Sequence, residues 1–234
     1  MVEVQGGMFE MGSNLSADEM PIRQVQVDAF WMDEAEVTVE AYSVCVDGGA
    51  CTEPVSGGSC NWMVAGREDH PVNCVTWFQA EDFCTWVGEG TKRLPTEAEW
   101  EKAARGTDAW EYPWGDSPVP SCTHVVMDEG GFGCGMGSTW PVGSKPMGDS
   151  PYGVHDMAGN VGEWVADWYM ESYDAMEIGN PMGPAMGSRR VLRGGSLGNY
   201  DPLNFRTTSR VNFYPTGNAS SVGFRCARTP PAAL

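Results

Sequence analysis

The stretch PYGVHDMAGNVGEWVADW, residues 151–168, is answered further on by RVLRGGS at 190–196. Gly153, Gly159 and Gly162 punctuate a segment that sets Asp156, Asn160, Glu163 and Asp167 among Trp164 and Trp168. Glycine tolerates left-handed and tight backbone, which exposes carbonyl oxygens. Asn160 and Glu163 add two hard oxygen donors three residues apart, a donor type that suits calcium better than a soft metal. The same residues also suit a tryptophan-rich core turn whose carboxylates cap backbone amides. Spacing alone leaves both readings open.

Around this stretch lie 234 residues with a formal net charge of −18. That length suits one large domain, 1–234, with two as the alternative, and it suffices to bury a substantial core. So acidic a chain offers no basic face for nucleic acid or an anionic membrane. Thirty Gly, 16 Pro and ten Trp indicate a loop-rich fold with aromatic anchors rather than a helical bundle. No apolar run reaches membrane-spanning length.

Eight cysteines stand at 45, 51, 60, 74, 84, 122, 134 and 226, with no CxxC pair among them. Zinc ribbons and thioredoxin-like chemistry are therefore disfavoured, and four disulfides in an oxidising compartment are the simplest account. Pairing is argued locally: Cys45 and Cys51 flank VDGGA, Cys60 and Cys74 bracket a Gly-rich loop, and Cys122 and Cys134 bracket another. Cys84 and Cys226 remain, and would tie the middle of the chain to its end. The expected location is secreted, periplasmic or at the cell surface.

In chain order, residues 2–13 predict two short strands around Gly6-Gly7, and 22–32 predict another. Thr38 opens a helix over TVEAYSVCV that Gly48-Gly49 ends, and 48–74 reads as a cysteine-held loop. Thr76 with Gln79 and Thr96 with Glu99 are capping boxes, starting helices through Trp86 and Arg105. Between them KRLP (92–95) is expected on the surface or in a turn. Past residue 106 few periodic runs occur, and a loop-dominated second half is expected.

The phrases GGMFEMGS, EVTVEAY, HPVNCVTW, KRLPTEAEWEKAARG, YPWGD, PVGSKPMGDSPYGVHDMAGNVGEW, RVLRGGS and GFRCAR follow one another in order along nearly the whole chain. In this the chain resembles the formylglycine-generating enzymes, the sulfatase-modifying factor family. The resemblance implies an α+β, C-type-lectin-like fold, loop-rich and disulfide-stapled, with a family disulfide at Cys84–Cys226. It implies a calcium site at Asn160, Val161, Gly162 and Glu163, which raises the metal reading of that segment above the core-turn reading. A second calcium site would fall near 122–135, where His124 and the Cys122–Cys134 pair stand.

Members of that family oxidise a sulfatase cysteine to formylglycine with oxygen and a copper(I) ion held by two cysteines between RGGS and the final GFRC. Two thiolates select the soft cuprous ion. Residues 197–222 here contain no cysteine. Asn199 stands where the first ligand is expected, and Pro202 or Asn204 where the second is. Neither an amide oxygen nor proline replaces a thiolate, so formylglycine generation by this mechanism is not expected.

The remaining candidates have plainer readings. His70, His124 and His155 would form a three-histidine iron site, as in relatives that make sulfoxides, only if all three converged. Each reads more simply as a hydrogen-bonded loop residue. Fourteen methionines are scattered singly and read as packing. Ser196 lacks a nucleophile elbow and reads as a turn residue. Arg193, Arg206, Arg210 and Arg225 are expected to pair internally with acids; the sharper alternative is an anion- or peptide-binding cleft.

Three functional classes follow. The first is a ligand-binding or scaffold module with calcium as its cofactor. Its recognition surface would be the C-terminal loop of Asn199, Tyr200, Asn204, Arg206, Phe213 and Tyr214, which mixes aromatic anchors with adaptable amides. A protein or small molecule would be its partner. The second is a divergent metal- and oxygen-dependent oxidoreductase, and the third a self-associating component of an extracellular assembly.

Overall fold

A computed structural model describes residues 1–230. Four short N-terminal strands open the chain: β1 (Val2–Val4), β2 (Gly7–Met11), β3 (Arg23–Val27) and β4 (Phe30–Met32). Helices α1 (Val39–Asp47) and α2 (Trp77–Val87) follow, then β5 (Lys92–Arg93) and α3 (Glu97–Arg105). The C-terminal part holds β6 (Gly162–Trp168), β7 (Arg190–Arg193), β8 (Arg210–Phe213), β9 (Val222–Phe224) and β10 (Ala227–Arg228). Strands β2 and β3 form a two-stranded antiparallel ribbon. One four-stranded sheet has the order β1-β4-β10-β5 and the other β8-β7-β6-β9. In the second sheet only the β6–β9 pairing is parallel.

The three helix starts are where the sequence puts them. Thr38 accepts a hydrogen bond from Ala41 N–H, and both predicted capping boxes close, Thr76 with Gln79 and Thr96 with Glu99. Two expectations need correction. KRLP is not merely a turn, because Lys92 and Arg93 pair as β5 against β10. The second half is not all loop: GEWVADW is the central strand β6, although irregular chain fills most of 106–161. Both faces of β6 are covered, so its apolar residues do not alternate with polar ones, and the alternation that marks a half-buried strand is absent.

The three locally argued cysteine pairs, Cys45–Cys51, Cys60–Cys74 and Cys122–Cys134, and the remaining pair Cys84–Cys226 are all present as disulfides. Such bonds persist in oxidising compartments. Cys84–Cys226 joins α2 to the segment between β9 and β10 and spans 142 residues of chain. Among the described residues no helix is long and apolar enough to cross a membrane.

Helix α3 lies at the centre, and every one of its residues is buried although most are charged. Its apolar side chains, with Trp100 the largest, join a core that β2, β3, β4, β6 and β7 share. Its carboxylates need cations, since an unpaired buried charge is costly. Arg193 of β7 donates to Glu101 Oε2 at 2.6 Å and to the carbonyls of Thr207, Thr208 and Ser209. Arg210 of β8 grips Glu97 with two hydrogen bonds of 2.7 Å. Arg105 reaches Glu101 Oε1 at 3.0 Å, and Lys102 donates to the Gly7 carbonyl at 2.7 Å. Elsewhere Arg206 pairs with Glu19 and Arg225 with Glu163, each through two hydrogen bonds. The four clustered arginines are thus internal ion-pair partners and not a surface patch.

Asp167 ends this network without a cation of its own. Its Oδ2 accepts the N–H of Glu97 at 2.7 Å at the start of α3. Burial first, and the neighbouring Glu97 carboxylate next, push its pKa up to about 8.

Two outcomes follow. Glu101→Gln leaves Arg193 and Arg105 short of charge in the core and should lower unfolding free energy by about 3–5 kcal/mol, read by denaturant melts. For Asp167, the folded state keeps a proton that the unfolded chain releases above 3.8, so its stabilising contribution at acid pH is lost as pH rises from there towards about 8. Asp167→Asn should remove a slope of about 1.4 kcal/mol per pH unit between pH 5 and 8. Parallel stability–pH curves for the two proteins would contradict this.

Candidate functional site

The RGGS turn after β7 shapes a cleft. Arg193 points into the core, and the chain then reverses through Gly194 and Gly195, at φ +93° and +69°. A Cβ at Gly195 would stand 2.7 Å from the Asn204 carbonyl oxygen, so no larger residue fits that close approach. Beyond the turn, Ser196 donates through N and Oγ to Asn199 Oδ1, at 2.9 and 3.0 Å. The Cys122–Cys134 loop clamps this segment from outside: Asp128 N–H donates to the Asn199 carbonyl at 2.8 Å and Gly133 N–H to that of Leu197 at 3.0 Å.

The cleft measures about 200 Å³ and is lined by Leu192, Ser196, Asn199, Ser209, Val211 and Ser221, among others. Strands β7 and β8 and the start of β9 bring these walls together. Its chemistry is hydroxyl, amide and aliphatic, with no thiol, since all eight cysteines are in disulfides. Arg193 lines it, yet its Nη1 and Nη2 groups are spent inward, and only its buried Nε is without a partner among the described residues.

Of the expected recognition residues, the structure brings only Asn199 into this cleft. Tyr200 and Tyr214 are exposed, with Leu203 and Val211 also open to solvent. Asn204 braces its own turn, its N and Nδ2 donating to the Asp201 carbonyl at 3.0 and 3.1 Å. Pro202 heads that same turn. Arg206 faces the interior and Glu19, and Phe213 packs on Trp164 with ring centroids 5.7 Å apart. Ser209, Ser221 and Val211 escaped notice because they meet only when three strands are paired.

The GNVGEW segment is tightly satisfied. Asn160 Oδ1 accepts from Trp140 N–H at 3.0 Å, while its Nδ2 donates to Glu36 at 2.7 Å. Glu163 receives Arg225 on both oxygens and Trp100 Nε1 at 2.9 Å. Both side-chain oxygen donors are therefore engaged by protein hydrogens, and a guanidinium stands where a cation would bind Glu163. As arranged, these residues do not fit the four-ligand calcium site that the resemblance implies. Glu36, which the motif reading passed over, is the third acid here. Its carboxyl is held well above the usual range by burial first, with Asp156 and Glu163 adding repulsion. Val161 N–H also donates to Glu36, at 3.2 Å.

The three histidines do not converge. His70 Nδ1 lies 2.8 Å from Thr139 Oγ1, and His155 Nδ1 lies 2.7 Å from Asp149. His124 stacks on Trp114 at 5.0 Å. Among the described residues no group of three or more His, Cys, Asp or Glu is placed to hold a metal ion.

Residues 1–230 match the family described as "Sulfatase-modifying factor enzyme 1-like domain". The formylglycine-generating enzyme of Bos taurus is 33% identical over 97% of this chain and 74% of its own length. The inactive C-alpha-formylglycine-generating enzyme 2 of Bos taurus is 30% identical over 100% of this chain and 90% of its own. The structure of PvdO from Pseudomonas aeruginosa superposes with a TM-score of 0.82 at 25% identity, covering 97% of this chain and 92% of that one. Read with the RGGS turn, the α3 core and the GFRC disulfide, these matches show that the chain belongs to the sulfatase-modifying factor family.

Proposed function

We propose that this chain is a ligand-binding or scaffold module of its family, acting outside the cytosol as a secreted, periplasmic or surface protein, and that it does not generate formylglycine. The observation that carries the reading is the chemistry of the RGGS cleft. Family oxidation needs two thiolates to hold a cuprous ion, and here Asn199 spends its amide oxygen on the Ser196 turn while Asn204 spends its amide nitrogen on Asp201. Amide oxygens are hard donors with little affinity for copper(I). Calcium is not needed to neutralise Glu163, which Arg225 already does.

What the cleft can do is bind. Its hydroxyls and the Asn199 amide offer neutral hydrogen bonds between aliphatic walls, and exposed Tyr200 and Tyr214 belong to the same C-terminal segment. Rigid aromatic side chains beside adaptable amides are typical of recognition surfaces. The occupant of such a surface would be a protein segment or a small molecule. The inactive relative in Bos taurus supports a family member without the family reaction.

The test is direct. A cysteine-containing sulfatase peptide incubated with the protein, copper(I) and oxygen should keep its mass, with the cysteine recovered intact by mass spectrometry. Conversion of that cysteine to an aldehyde would overturn the proposal.

A further inference from the structure

A second cavity lies apart from the RGGS cleft, between the loop ending at His70 and the 136–141 segment. Its volume is about 420 Å³, within the range of small-molecule sites. Val64, Met136, Trp140 and Pro141 supply apolar walls. The Trp140 ring is fixed: its Nε1 donates to the Gly133 carbonyl at 3.0 Å, and Lys145 Nζ lies 3.9 Å from its centroid.

The polar end is set by a chain of hydrogen bonds. Asn61 Oδ1 accepts from Arg67 Nη1 at 2.8 Å, so Asn61 Nδ2 is the donor, to the Pro71 carbonyl and to Thr139 Oγ1 at 2.9 Å. Thr139 Oγ1 lies 2.8 Å from His70 Nδ1. His70 is 9% exposed and lines the cavity with its imidazole. Arg67 lines the same cavity, and among the described residues its side chain is partnered only through Nη1. The neighbouring acids stand aside: Glu68 accepts from Gly66 N–H, Asp69 is exposed, and neither lines the cavity. A guanidinium that lines the cavity, an imidazole beside it and an indole wall together select an anion on an apolar body.

We propose that this cavity binds a small aromatic or alkyl monocarboxylate, its carboxylate held by Arg67 beside the His70 imidazole and its body laid against Trp140. The inference is independent of what the RGGS cleft binds.

Calorimetric titration with 3-phenylpropionate and with its primary amide tests it. The carboxylate should bind saturably with a Kd below about 1 mM, and the amide about tenfold or more weaker. Arg67→Ala should weaken the carboxylate by about tenfold or more. Ala65→Trp, placed at an exposed wall residue so that folding is undisturbed, should abolish binding by filling the cavity, while Ser209→Trp in the RGGS cleft should leave it unchanged. Absence of saturable binding, equal affinity for acid and amide, or wild-type affinity in Ala65→Trp would each overturn the proposal. Should Arg67→Ala fail to fold, the Ala65→Trp result decides.

Discussion

A charged helix buried at the centre of the molecule is the constraint on which the rest depends. Helix α3 carries Glu97, Glu101, Lys102 and Arg105 into the interior, where each must find a partner or destabilise the fold. Two of those partners, Arg193 and Arg210, come from neighbouring strands of the C-terminal sheet. Burying such pairs gains little over apolar packing, but an unmatched member is penalised heavily, so the network acts mainly by excluding other arrangements. The sheet β8-β7-β6-β9 is thereby registered against α3, and the RGGS turn at the end of β7 is placed with it.

That placement is what gives the cleft its form. Arg193 must turn inward to reach Glu101, so the next two residues reverse the chain with positive φ, and only glycine suits Gly195 at its approach to Asn204. The scaffold around the cleft is therefore held by the ion pairs of the core. What differs is the short segment laid across it, where amides and a proline close turns in place of sulfur. Scaffold and chemistry are separable here: the first is held by the core, the second by a few surface residues.

How much of this could be read from the chain depends on the range of the signal. The helix starts at Thr38, Thr76 and Thr96 were legible because capping is local, involving residues three apart. The short cysteine pairs were legible for the same reason, and Cys84–Cys226 by being left over. Strand β6 was not, since burial on both faces erases the alternation that marks a strand. Asn160 and Glu163 stand out in the sequence as oxygen-bearing side chains, but what engages them does not: their partners Trp140, Glu36 and Arg225 lie far along the chain, and no spacing rule reports them. The His70 cavity was invisible for a like reason, its polar end joining Asn61 to Thr139, which are 78 residues apart.

The state of the sulfurs bears most directly on the claim that this member has the family scaffold without its redox centre. Thiol titration of the protein unfolded in denaturant without reductant is expected to find no reactive cysteine, all eight being held in four disulfides. Two free thiols per chain would contradict that claim and return soft-metal chemistry to consideration.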